Sequence, residues 1–463
     1  MICNIYSFIS EAVQNPFGDN ISFTDIDDNG MYLEEVLTCK QENDFLEMPR
    51  LIYKNDPHWI PHIRQDIQKI FESTRNKLFK KGEAIRWILK NREGVTIGRV
   101  AAFHTGKVAQ PGKLLTGGFG FFECIDDDEA ARILLDQCAR WNKQHGMQAM
   151  DGPINFGEKD QYWGLMISNF DNPGTYGMNY NPAYYRRFFD NYGFGTYYEQ
   201  YVNYRPVYLP VQEVYVRKAE SLKGQGYSVR CIDPTNTDKF AEDFRTIYND
   251  AWRVHDNFKP MEKEQAQNIM RMLKPIMDPD IIYFAYYNNE PVGFYINCPE
   301  LNTLFKYVDG NLNWWGKVKF MYHKLKGDCR TMFVIVFGVV KAHQGKGVEG
   351  LMIKYCQDHL LPLNRYDHVI LTWVGDFNAK SLKMIENLEG KLWRTYITCR
   401  VMLDKNIPFE RFPMIAYEPI KEIAKEQYSK LEPAYDNRET YFRVNNTMET
   451  IWHYLAIQFS NSK

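Results

Sequence analysis

One spacing occurs twice in this chain of 463 residues. VTIGRVAAFH (Val95–His104) contains Gly98, and 83 residues later Asn181 opens NPAYYRRFFDNYGF, with Gly193 twelve positions on. NNEPVGFYIN (Asn288–Asn297) contains Gly293, and 85 residues later DFNAKSLKMIENLEGK contains Asn378, with Gly390 twelve positions on. A repeated offset of this kind predicts one fold used twice. Each half also carries an apolar strand, a long helix and a second strand: GGFGFFEC, Asp126–His145 and MQAMDG, then MFVIVFGVV, Val348–Leu360 and HVILTWVG. The first helix opens on three aspartates, which suit a helix N-terminus, and Ala131, Leu134, Leu135, Cys138 and Trp141 recur at helical spacing. Leu351, Met352, Tyr355 and His359 do the same in the second. Shorter helices begin near Asn181 and Asn378, while Gly98 and Gly293 read as the turns of strand pairs, with Asn288 and Asn289 as the second turn signal. The expectation is an α/β fold of two domains, each a mixed twisted sheet flanked by helices.

The division that follows is an N-terminal extension over 1–44, a first domain over 45–205, a linker over 206–227, a second domain over 228–404 and a C-terminal strap over 405–463. The strap carries Pro408, Pro413, Pro419 and Pro433 and ends in a short helix, Met448–Phe459. The first domain inserts Pro153–Tyr180 after its last central strand, and the second inserts Leu301–Arg330 before its apolar strand. A formal net charge of −2 gives no global field to attract nucleic acid. Apolar runs are too short to span a bilayer, and the first residues lack a basic n-region, so no secretory signal is expected. Nine cysteines without a CxxC pair predict reduced thiols and a cytoplasmic location. No HExxH and no GxSxG occurs, so neither a metal nor a serine nucleophile is expected.

The strongest chemical signal is KAHQGKGVEGLMIKYC, which follows the apolar strand. Gly345 and Gly347 let the backbone approach a ligand, Lys346 adds charge, and the helix after them offers unpaired amides at its positive end. On these residues the second half resembles a GCN5-related N-acetyltransferase (GNAT) domain. That family's signature is an apolar strand, then Val-x-Pro-x-x-Arg/Gln-x-x-Gly-x-Gly/Ala, then a helix. Here Val339, Gln344 and Gly347 match; Lys341 replaces the proline and Glu349 the last small residue. The resemblance covers Ser228–Asp404 well and Phe45–Tyr204 less closely, so the whole chain resembles a tandem pair. It implies an acyl-CoA cofactor, acetyl-CoA or a longer acyl-CoA, held by Val339, Gln344, Gly345, Lys346, Gly347, Val348 and Asn378. Glu349 beside a pyrophosphate would cost about 1–3 kcal/mol at 6–8 Å and an effective dielectric near 20, unless its side chain turns away. The first half has three aspartates where the turn should be, and is expected to bind no cofactor.

The resemblance further implies acyl transfer to an amine, small-molecule or peptide. The family's strand carboxylate is missing from Met332–Val340, and its helix tyrosine is replaced by Ile385. Glu300 and Tyr396 are the candidate catalytic stand-ins, and Asn155, Glu158, Asp160 and Tyr162 in the first insert are candidate substrate contacts. Asn313–Gly327 interleaves aromatic and basic residues, as a packed surface helix or a peripheral membrane contact would. The alternative reading is a non-catalytic acyl-CoA binder or a structural protein of the same fold.

Overall fold

A computed structural model describes residues 30–106, 114–157, 159, 161–253 and 260–414. The first half runs β1 (Tyr32–Glu35), α1 (Cys39–Glu47), α2 (Pro49–Ile52), α3 (Arg64–Phe71), β2 (Glu83–Lys90), β3 (Thr96–His104), β4 (Thr116–Cys124), α4 (Asp128–Gln144), β5 (Ala149–Gly152), β6 (Leu165–Met166), α5 (Tyr185–Tyr192) and β7 (Gly195–Pro206). After α6 (Glu213–Ser221) come β8 (Tyr227–Cys231), α7 (Thr237–Trp252), α8 (Lys263–Leu273), β9 (Ile282–Tyr287) and β10 (Glu290–Pro299). The insert forms α9 (Asn302–Phe305) and α10 (Trp314–Lys326), and β11 (Thr331–Val339), α11 (Val348–Leu363), β12 (His368–Gly375), α12 (Ala379–Asn387) and β13 (Lys391–Met402) complete the second half.

All strands join one mixed sheet, in the order β1-β2-β3-β4-β5-β13-β7-β12-β11-β10-β9-β8, with β6 beside β13. The two halves exchange their last strands. β13 runs antiparallel to β5 of the first half, β7 runs antiparallel to β12 of the second, and the two pair with each other. The result is an α/β fold of two similar halves that share their central seam. A bidentate pair between Arg400 of β13 and Asp151 of β5, at 2.7 and 2.9 Å, ties the exchange from the first-half side.

The repeat in the sequence is a repeat in register: Gly98 lies opposite Cys124, and Gly293 opposite Val339. Neither glycine is a turn, contrary to the sequence reading; each lies inside a strand, β3 or β10. The reason is close packing of the long helix. A β-carbon at Gly98 would stand 2.8 Å from Leu134 of α4, and one at Gly293 3.1 Å from Met352 of α11. The turn before Gly293 is made by Asn288 and Asn289, both with positive φ. α4 starts where its acidic signal predicts, with the Asp127 carboxylate accepting from the amides of Glu129 and Ala130 at 2.9 Å. Gly193 ends α5 at φ +95°, whereas after α12 the left-handed residue is Glu389 at +56°, one place before Gly390.

Leu134, Cys138 and Phe189 fill the first-half core between the sheet and α4 and α5. Phe244, Phe284, Phe294 and Met352 lie in the second-half core. Pro419, Pro433, the expected helix Met448–Phe459, Glu158 and Asp160 lie outside the described residues.

Candidate active site

The two halves each hold a place where parallel strands part. β4 and β5 pair only over Thr116–Gly118 and Ala149–Asp151, and β11 and β12 only over Thr331–Phe333 and His368–Ile370. Past these residues β12 continues against β7 and β11 against β10, which leaves one edge of β11 facing a notch. A register shift at Ile296/Asn297, opposite Val336 and Val334, leaves Ile335 as an extra residue on β11 at the apex. The Val340 amide donates to the Val292 carbonyl at 2.9 Å, so the alternation of an antiparallel ladder turns the groups of Val339 and Phe337 into the notch.

In the first half the same edge is closed by the chain itself. The Ile154 amide donates to the Phe119 carbonyl at 2.8 Å, and a β-carbon at Gly120 would strike the Ile154 carbonyl. At Cys124, the register equivalent of Val339, the amide donates to the Tyr185 hydroxyl at 2.8 Å and the carbonyl accepts from the Tyr184 hydroxyl at 2.9 Å. Strand and helix there satisfy each other, with no edge left to offer.

The mouth of the second notch is the expected turn. After a single 3-10 turn at Lys341–His343, Gly345 has φ +74° with no atom within 4 Å of its β-carbon position, and Gly347 has φ +103°. Gly347 is the N-cap of α11 and supplies no side-chain cap, so the helix's first amides keep no side-chain acceptor at that position. The Gln344 side-chain amide donates to the Val339 carbonyl at 2.9 Å, fastening the turn to the strand end. Lys346 is exposed, and Val348 is fully buried beneath the turn. Glu349 is half-buried on the side of α6, where its charge raises the pKa of Tyr215 together with burial, the larger cause. α6 lies so near that a β-carbon on Gly347 would stand 3.1 Å from the β-carbon of Lys218, and one on Gly350 3.2 Å from it. The glycines therefore serve two needs, positive φ and helix contact. Asn378 caps α12, accepting from the Ser381 amide at 3.1 Å.

Glu300 and Tyr396 are brought to the same buried arginine. Arg394 is fully buried and its guanidinium donates to the carbonyls of Asn169, Asn172 and Pro173. Its charge acts on both Glu300 and Tyr396. Glu300 follows β10, and its amide donates to the Thr331 carbonyl at 2.8 Å, on the β10 side of β11 and beside the stretch Thr331–Phe333 where β11 and β12 still pair. Its carboxylate accepts from the amides of Tyr176, Asn302 and Thr303 at 2.7, 3.2 and 3.1 Å. Burial pushes its pKa up to about 7 despite those donors. The fully buried Tyr396 hydroxyl stands beside Arg394 without a well-aligned hydrogen bond, and burial keeps it protonated by raising its pKa.

Of the expected substrate contacts, Asn155 and Tyr162 are each 2% exposed, and Tyr162 packs in a first-half core cluster. Asn155 donates to the Gln161 carbonyl. Tyr162, at φ +46°, packs edge-on to His62 with ring centroids 4.9 Å apart.

Sequence reasoning missed the buried charges. Arg99 and Glu123 face each other across β3 and β4 at 3.5 Å, with Glu123 also accepting from the hydroxyls of Tyr53 and Tyr185. Asp66, also fully buried, accepts from the Tyr176 hydroxyl at 2.7 Å, and burial raises its pKa to about 7. Tyr176 thus bridges an acid of each half, Asp66 through its hydroxyl and Glu300 through its amide. A charged residue inside an apolar run, as in VTIGRVAAFH, GGFGFFEC and LWRTYITCRVML, was the available signal. Glu83, His104 and His145 also bring ligand-type atoms within 4.8 Å of one another, at the end of β3 away from Gly98; they are far apart in sequence, beyond any local spacing pattern.

No family model matches the chain. A protein of Caulobacter vibrioides (strain NA1000 / CB15N) described as bacterial ceramide synthase is 24% identical over 369 residues, covering 78% of this chain and 94% of its own. Protein YghO of Escherichia coli (strain K12) is 24% identical over 385 residues, covering 78% and 93%. Among solved structures, a tandem GNAT protein from the clavulanic acid biosynthesis pathway aligns over 82% of this chain and all of its own, at 9% identity and a TM-score of 0.45. A GCN5-related N-acetyltransferase from Sphaerobacter thermophilus aligns over 84% and 100%, at 11% identity and a TM-score of 0.42.

Proposed function

We propose that this tandem GNAT-like chain is an acyl-CoA-dependent N-acyltransferase that works from its second half. One contrast carries the reading: the β11 edge faces a notch with a glycine turn at its mouth, whereas the matching edge in the first half is filled by Ile154, Tyr184 and Tyr185. The turn Gln344–Val348 suits a pyrophosphate, through its free helix amides and the Lys346 charge. Val339 and Phe337 suit an amide-bearing arm lying along the strand, and Asn378 borders the far side. Glu349 is tolerated because it sits on the α6 side of the helix.

In this reading the amine nitrogen attacks the thioester carbon, and the C–S bond breaks to release a thiolate. Glu300 takes the proton of the amine; a base with a pKa of about 7 is matched to work near neutrality. Tyr396, whose pKa burial pushes up against the opposing charge of the adjacent Arg394 guanidinium, supplies a proton to the thiolate. The first half is the brace and not a second catalytic unit: its insert supplies the Tyr176 amide and the three carbonyls that fix Glu300 and Arg394.

The ceramide synthase relative supports a finer assignment. Ceramide is a long-chain amino alcohol acylated on nitrogen, so the donor here is a long-chain acyl-CoA and the acceptor a long-chain amino alcohol. The test is thiol release from a long-chain acyl-CoA with and without such an amine, with the amide identified by mass. Release that depends on the amine supports the assignment. Binding of the thioester without release would leave the non-catalytic reading, and release with short acyl chains alone would contradict the long-chain donor.

A further inference from the structure

Helix α10 is mounted with its apolar side outward. Its buried side consists of Gly316, which lies against Asn311, Phe320, whose ring centre is 5.3 Å from that of Phe305, and Lys324, which donates to the carbonyls of Pro275 and Met277. On the opposite side Trp314, Trp315, Val318, Met321, Tyr322 and Leu325 are 67, 65, 42, 40, 61 and 82% exposed. At about 100° per residue these six occupy an arc of roughly 120°. Lys317 borders that arc on one edge, and Lys319 and Lys326 on the other. The helix of a soluble domain ordinarily turns such a stripe toward the core.

Charge and residue type identify what covers it. The segment WWGKVKFMYHKLK contains no acidic residue, and of the lysines that border the stripe Lys326 is 3.4 Å from the carboxylate of Asp328, just past the helix. Tryptophan and tyrosine have an apolar body and a polar edge, which suits the head-group level of a bilayer. Lysines at both borders can bury their stems and extend their ammonium groups to lipid phosphates. A protein groove would need the apolar stripe but not a lysine border along each side.

We propose that α10 docks the protein peripherally on an anionic lipid surface, with its six apolar side chains at the boundary between head groups and acyl chains. Among the described residues no helix is long and apolar enough to cross a membrane, so the contact lies on the surface. It stands independently of acyl transfer at the second notch.

The test is co-sedimentation of the full chain with vesicles of phosphatidylcholine alone and of phosphatidylcholine mixed two to one with phosphatidylglycerol. The wild type is expected on the mixed vesicles, and less so as salt is raised. Trp314→Ser/Trp315→Ser/Leu325→Ser should lower partition at least tenfold, and Lys317→Glu/Lys319→Glu/Lys326→Glu should abolish the preference for the anionic vesicles. All six positions are exposed, and an unchanged melting temperature shows that the variants are folded. A wild type that stays in the supernatant with mixed vesicles would overturn the proposal, as would a serine variant that sediments like it. A concentration-dependent dimer that the serine variant dissolves, with no effect of vesicles, would assign the face to a second copy instead.

Discussion

Gly347 carries more of the account than its size suggests, because it combines φ +103° with a helix N-cap and a 3.1 Å approach to Lys218. Alanine there must adopt a left-handed conformation against α6, at a cost of about 1–2 kcal/mol. Gly347→Ala should therefore lower the melting temperature and, by shifting the turn, weaken acyl-CoA binding more than Lys346→Glu, which only reverses an exposed charge; parallel titrations of the two variants check this. Glu300 makes a prediction in pH. Its ordinary pKa of 4.5 is raised to about 7 on folding, so its contribution to stability is full below pH 4.5 and is lost as pH rises through 7. Burial is the cause, and the shift corresponds to on the order of 3 kcal/mol. Glu300→Gln removes that titration, so the stability advantage of the wild type over the variant should grow as pH falls from 8 to 5 in urea unfolding. The same variant should lose the limb of the pH–rate profile near 7 and about 100-fold or more in kcat. A variant with normal kcat would make Glu300 only the anchor of Tyr176.

The two notches show what an element's ends decide. Strand, long helix and strand repeat in both halves, yet in the second the β11 edge is met by the Gln344 side chain at the Val339 carbonyl and the helix starts without a side-chain cap. α5 closes the first with two hydroxyls on Cys124, and Tyr185→Phe should cost about 1–3 kcal/mol by leaving that amide without its acceptor, read as a lower midpoint in urea. Much of this was legible: the two long helices, the flanking strands and the turn at Gly345–Gly347 follow from periodicity and glycine placement. Gly98 and Gly293 were misread as turns because a glycine required by a helix pressing on a strand has the same local signature as one required by a bend. Glu300 could be named from its place after an apolar strand, but not its three amide donors, since Tyr176 lies 124 residues away. The outward face of α10 was equally hidden; periodicity gives the stripe and not the side that is covered.

At the scale of the whole molecule, the exchange of β7 and β13 joins the halves into one continuous sheet. Neither half owns the strand that completes its sheet, so unfolding should follow a single transition rather than two. Asp151→Ala should cost about 1–3 kcal/mol by leaving the half-buried Arg400 guanidinium without its carboxylate, with one transition retained at lower urea. The exchange also explains how a half without a cofactor turn is kept: its insert holds Glu300, Arg394 and Tyr396 in place for the other. The most direct test is calorimetric titration of the full chain with a long-chain acyl-CoA, comparing wild type, Gly347→Ala and Tyr184→Phe. The account predicts one equivalent bound, at least tenfold weaker binding in Gly347→Ala and unchanged affinity in Tyr184→Phe. Two equivalents, or affinity lost through Tyr184 and kept in Gly347→Ala, would contradict it.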